Sequence, residues 1–262
     1  MTHNQHLFSH AFVPLLAYST ACIGSALGLG CAGRYRARGL PDGLGWLVGG
    51  ALTLGSGIWG MHFIAMLGFT VDGVTVRYGV ALTIVSWVLA VLTVGVGMLI
   101  AGRDGTTLSL VCGGLVSGLG VAAMHHLGMA ALRVPGSISY SRDLVALSIV
   151  IAIVATTAAL WATLQVKGVM ATTCAVLVMG LAISGMHYTG MLAARVSISP
   201  GVPSPAGPTA VSFITPLVAG LSVLILYFGV ALLIVPVADQ KGRDRARNHS
   251  RGESRDNGLL SP

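Results

Sequence analysis

The sequence predicts an all-α polytopic membrane protein, with seven transmembrane helices built from three repeated helix pairs plus one C-terminal helix. Three observations predict it. Charged residues make up only 9% of the 262 residues while hydrophobic residues make up 54%, against about 25% charged in soluble domains. So little charge cannot cover a water-facing surface, which excludes a soluble globular enzyme. The apolar residues also fall into blocks of about 20, the length of a helix crossing a ~30 Å hydrocarbon core. Finally, one short motif returns on every second block.

The blocks run over residues 8–31, 44–69, 78–101, 107–132, 144–166, 168–194 and 211–237. Helices satisfy their own backbone hydrogen bonds, which lipid cannot do. Barrel strands would be about 10 residues long and strictly alternating, and these blocks are neither. Repeat units are expected over about 8–70, 77–133 and 142–195, followed by helix 211–237. Residues 1–7 are expected to form an external segment, and 238–262 a basic, disordered cytoplasmic tail. The loop after 195, with Pro200, Pro203, Pro205 and Pro208, is expected to be an extended linker.

The net charge of +7 marks topology rather than nucleic-acid binding. No Lys or Arg precedes the first block, so it reads as an uncleaved helix entering from outside. Seven spans then put the C-terminus in the cytoplasm. That side collects Arg34, Arg36, Arg38, Arg103, Lys167, Lys241, Arg243, Arg245, Arg247, Arg251 and Arg255. The other side has Arg77, Arg133, Arg142 and Arg195. This bias fits the positive-inside rule for a plasma or inner membrane, and the Arg-, Ala- and Gly-rich composition fits a bacterial gene.

The repeated motif is Met-His-x-x-x-Met. It occurs as Met61-His62 with Met66, Met124-His125 with Met129, and Met186-His187 with Met191. The histidines are 63 and then 62 residues apart, the length of two spans and two loops. The motif therefore recurs on the second helix of each pair, at one depth, about seven residues before the end of its block. Each histidine and its later methionine form an i,i+4 pair on one helix face, and the earlier methionine flanks it. Glycines around the motifs, among them Gly55, Gly118 and Gly180, let the helices approach closely.

Imidazole binds Cu, Zn, Fe and Ni, and thioether favours Cu(I). No Asp or Glu lies well inside a span, which argues against hard-cation and di-iron sites. The set Met61, His62, Met66, Met124, His125, Met129, Met186, His187 and Met191 therefore reads as a metal site, with copper as the predicted metal. Cys112 and Cys174 each lie 13 residues before a motif histidine, about 20 Å away along the helix. With Cys22 and Cys31 they read as small buried hydrophobes without disulfides. His126 reads as a spectator, Trp59 as packing, and the entrance histidines His3, His6 and His10 as a surface cluster.

At these residues the chain resembles the MHYT family of bacterial integral membrane sensor domains. The resemblance covers residues of about 8–237, and Met186-His187-Tyr188-Thr189 reads the family name literally. The first two copies vary, as Phe63-Ile64 and His126-Leu127. The resemblance implies a seven-span bundle whose motif Met and His residues bind copper near the outer face and through it sense O₂, CO or NO. Many members carry cytoplasmic domains that make or degrade cyclic dinucleotides, or kinases. No kinase, cyclase or Walker motif is found in this sequence, so a non-enzymatic sensor with a separate cytoplasmic output partner is expected, set in a lipid bilayer and without nucleic acid. The residues leave three other readings open: a copper transporter or metal-delivery protein, a haem protein with axial histidines, and a structural bundle without ligand.

Overall fold

The computed structural model describes residues 3–71, 74, 76–166, 168–199 and 205–234. Seven helices are present among them: α1 (His3–Arg38), α2 (Leu44–Met66), α3 (Val80–Asp104), α4 (Thr107–Ala130), α5 (Arg142–Gln165), α6 (Val169–Ala193) and α7 (Ala210–Ile234). All seven are long and apolar enough to cross a membrane. Helices α2 to α7 match the expected blocks to within about three residues. The first helix is longer than its block at both ends: it begins at His3, within the expected external segment, and Arg34, Tyr35, Arg36 and Arg38 continue it instead of forming a loop. Arg34 donates to the carbonyls of Gly30 and Leu232, at 3.1 and 2.5 Å, and its guanidinium lies over the Trp46 ring. The basic side chains are thereby held along the helix end.

Helices α1 to α6 close into a ring. Each packs on its chain neighbours, and α6 returns to α1. One glycine on each motif helix, seven residues before the histidine, opens the seam to the next helix. A Cβ on Gly55 would stand 2.8 Å from Val91 Cα on α3, and one on Gly118 would stand 2.5 Å from Ile153 Cα on α5. A Cβ on Gly180 would stand 2.5 Å from Cys22 Sγ on α1. The three-part sequence repeat thus becomes a threefold-like ring, with small residues permitting close backbone approach where lipid provides no hydrophobic drive. Helix α7 lies outside the ring against α1 and α2 and presents most of its surface outward.

The C-terminal ends of α2, α4 and α6 meet at one end of the bundle. Short strands missed by the hydropathy reading cap that end. Strand β1 (Arg77–Tyr78) pairs antiparallel with β2 (Leu132–Arg133), and β3 (Gly136–Tyr140) pairs antiparallel with β4 (Ala194–Ile198). Part of the expected linker after residue 195 is therefore strand. Pro200 and Pro203 lie outside the described residues, as do the tail 238–262 and the side chains of His3, His6 and His10. Within the cap, Arg77 and Arg133 donate to the carbonyls of Gly207 and Ala206, at 2.9 and 3.0 Å. Tyr78 is buried against Phe63 and Phe213.

Candidate metal centre

The histidines lie close to the cap. His62, His125 and His187 precede the last residues of α2, α4 and α6 by four, five and six positions. That is about 6–9 Å along the axis, shallower than expected, because strand and turn begin before the apolar blocks end. Opposite the cap, the inner surfaces of these helices carry small and aliphatic side chains.

The three imidazoles converge. Nδ1 of His62 lies 3.0 Å from Nδ1 of His187 and 3.1 Å from Nδ1 of His125. One nitrogen from each ring falls within a 4.8 Å group. The rings stand nearly perpendicular to one another, at 80–86°, with centroids 4.9–5.2 Å apart. All three residues are at most 1% exposed. This is a three-bladed arrangement with the Nδ1 atoms at its hub.

Hydrogen bonding alone does not satisfy such a hub. A neutral imidazole nitrogen either donates or accepts, so Nδ1 of His62 makes one good hydrogen bond yet faces two partners. A cation at the hub would take three lone pairs at once. Metal–imidazole bonds of about 2.0–2.1 Å put nitrogens that share a metal roughly 3–4 Å apart, which matches the separations found. The donor set fits a borderline or soft transition metal.

The opposite nitrogens are unusual. Nε2 of His62 and Nε2 of His125 are buried without a hydrogen-bond partner among the described residues. Each abuts a glycine on the next motif helix, His62 against Gly128 and His125 against Gly190. Both glycines stand three residues after the motif histidine of their own helix, where the first repeat has Ala65. Metal-bound histidines usually donate their second N–H to an oxygen. Here a bare backbone surface seats the ring edge, fixing position by shape rather than by hydrogen bonding.

Of the motif methionines, Met61, Met66, Met124, Met129 and Met186 are fully buried, and Met191 is half-buried. The histidines form the hub itself, and the methionines belong to the bundle's hydrophobic core or pack against it. His126 is not in the hub group. Its ring stands edge-on to His125 and Tyr140. Trp59 does more than pack: its indole N–H donates to Ser86 Oγ at 3.0 Å, linking α2 to α3. Cys112 and Cys174 are exposed on the outside of the ring, Cys31 is buried and Cys22 is half-buried.

On the side away from the cap, a cavity of about 40 Å³ runs along the ring axis. Its walls repeat the threefold pattern. Ile58, Val121 and Ile183 lie one turn below each histidine, and Leu54, Ser117 and Met179 one turn lower still. The same register, four and eight residues before each histidine, was available in the sequence. The void itself was not, because it depends on side-chain volumes across six helices.

Comparison with known proteins agrees with this architecture. The family described as "Bacterial signalling protein N terminal repeat" (MHYT) matches three consecutive segments, residues 55–114, 118–176 and 180–247. Each segment contains one copy of the Met-His-x-x-x-Met motif and begins within the helix that carries it. The chain is 40% identical over 199 residues to the bifunctional diguanylate cyclase/cyclic di-GMP phosphodiesterase MucR of Pseudomonas aeruginosa, covering 69% of this chain and 27% of MucR. It is 35% identical over 202 residues to the cyclic di-GMP phosphodiesterase NbdA of the same organism, covering 71% of this chain and 26% of NbdA. It is 36% identical over 163 residues to the signaling protein YkoW of Bacillus subtilis, covering 57% of this chain and 19% of YkoW. The chain thus spans about a quarter or less of these relatives' lengths. No solved structure matches. With three consecutive repeats matched over most of its length, the chain belongs to the MHYT family of bacterial membrane signalling proteins.

Proposed function

We propose that this chain is a copper-binding membrane sensor whose hub of His62, His125 and His187 takes up a diatomic gas signal. The observation that carries the reading is the convergence of three buried Nδ1 atoms, 3.0 and 3.1 Å apart, at membrane depth. The soft thioethers of Met61, Met66, Met124, Met129, Met186 and Met191 populate the same region and favour Cu(I). Copper held there by the three imidazoles would supply the affinity for O₂, CO or NO.

The protein's own part is to aim and shield. Gly128 and Gly190 seat the ring edges, the strand cap closes one side, and the apolar core keeps water from the imidazoles. Because the three histidines come from three separate helices, a change in their spacing is a change in helix packing. A ligand that prefers one spacing shifts the bundle toward it. The arginine and lysine bias supports a topology with the cap outside a plasma or inner membrane and the short loops in the cytoplasm. There the signal passes to an output partner. The cyclic di-GMP enzymes among the relatives point to cyclic di-GMP turnover as that output, with this membrane unit acting as the non-enzymatic input. Metal transport fits less well, since a charged ion leaving the hub would enter a mainly aliphatic column that holds no imidazole or carboxylate.

The test is purification in detergent, copper loading under reducing conditions, and counting of bound metal before and after CO addition. About one copper per chain and a CO-dependent infrared band are expected, both lost in His62→Ala, His125→Ala and His187→Ala. A Soret band, or no copper in the wild-type protein, overturns the reading.

A further inference from the structure

The column below the hub has properties that its role as packing does not require. It is a void lined by residues of all six ring helices, and its lining begins one helical turn from all three histidines. Its volume of about 40 Å³ compares with roughly 10–15 Å³ for one water in the same measure. Room therefore exists for a molecule of two or three heavy atoms.

Water and ions are poor occupants. The hydroxyls on its wall belong to Ser117, Thr156 and Thr163. Each donates to a backbone carbonyl: Ser117 to Thr93 at 3.3 Å, Thr156 to Gly114 at 2.8 Å and Thr163 to Leu160 at 2.6 Å. A buried water needs two to four polar partners, and the wall has spent its donors. The remaining wall is aliphatic, with the polarisable thioethers of Met98, Met179 and Met186. The α5 side is lined by the small residues Ala152, Ala155 and Ala159, whose short side chains leave the space open.

We propose that this column is a dry receptor chamber for a neutral molecule of two or three heavy atoms, set one helical turn from the imidazole hub on the face opposite the strand cap. The chamber stands on geometry alone. Its role in delivering a ligand to the hub rests on the copper reading above.

The two are separable by experiment. In metal-free wild-type protein carrying ¹³C-methyl methionine, xenon pressure is expected to shift the Met98, Met179 and Met186 methyl signals along a saturating curve. The exposed Met170 should respond linearly, as detergent does. Ala155→Leu and, independently, Ala159→Leu should abolish the saturating response. With copper bound, CO rebinding after photolysis should be at least fivefold slower in these variants. Saturable xenon binding without copper binding would sustain the chamber and overturn the copper reading. Linear xenon shifts at all methionines in the wild type would overturn the chamber. A second copper per chain, lost in Met98→Leu and Met179→Leu, would overturn it in favour of a thioether metal site.

Discussion

Nδ1 of His62 stands 3.0 Å from Nδ1 of His187, although the two residues are 125 positions apart and belong to the first and third repeats. His62 is the shared member of the hub, since its Nδ1 also faces His125 at 3.1 Å. Three copies of one motif thus bring their histidines into a single cluster rather than three.

The glycine seats offer a first check on how the hub is held. A methyl group on Gly128 or Gly190 would collide with Nε2 of His62 or His125. Gly128→Ala and Gly190→Ala are expected to weaken copper binding about 10–100-fold, as loss of a ligand's supporting shell does. Gly185→Ala meets open space and should be neutral. Competition with a calibrated Cu(I) chelator measures all three.

Ring closure depends on the glycines facing backbone. Gly118→Val would press its side chain against Ile153 Cα, and Gly55→Val against Val91 Cα. Each is expected to destabilise the fold by about 1–3 kcal/mol through overpacking. Steric trapping or SDS unfolding of the purified protein would register the loss.

Trp59 and Ser86 tie α2 to α3 through one hydrogen bond. Trp59→Phe keeps most of the packing and removes the donor. A loss of about 1 kcal/mol is expected, read by the same unfolding assay. Ser86→Ala should give a similar value, and the double variant should show less than the sum.

Tyr78 lies in the strand cap, where burial raises its phenol well above the ordinary value of 10.0. The sign follows from linkage. Below pH 10 the phenol is neutral in both folded and unfolded chains and the cap is at full stability. As pH rises past 10 the unfolded chain ionises first, so stability falls. Tyr78→Phe should remove this part of the alkaline loss. Thermal melts between pH 8 and 11.5 would show whether the two proteins diverge above pH 10.

Much of this architecture was legible in the sequence, for physical reasons. Apolar blocks must match bilayer thickness, so α2 to α7 could be drawn closely. The 63- and 62-residue spacing fixed the motif on alternate helices and hence at one depth. Convergence of His62, His125 and His187 followed if those helices were neighbours. What stayed hidden depends on three-dimensional packing. Arg34 to Arg38 read as a loop because hydropathy scores their charge and not their aliphatic stems. The short strands carry too few residues for periodicity to register. Choice of Nδ1 over Nε2 is set by rotamers packed against Gly128 and Gly190, and the chamber by volumes that six helices leave unfilled.

Three imidazoles from three repeats are proposed to share one copper ion. X-ray absorption at the copper edge of the Cu(I)-loaded protein tests it most directly. About three nitrogen scatterers near 2.0 Å with the outer-shell pattern of imidazole are expected, and loss of that pattern in His62→Ala. A shell made only of sulfur, or an unchanged spectrum in His62→Ala, would contradict it.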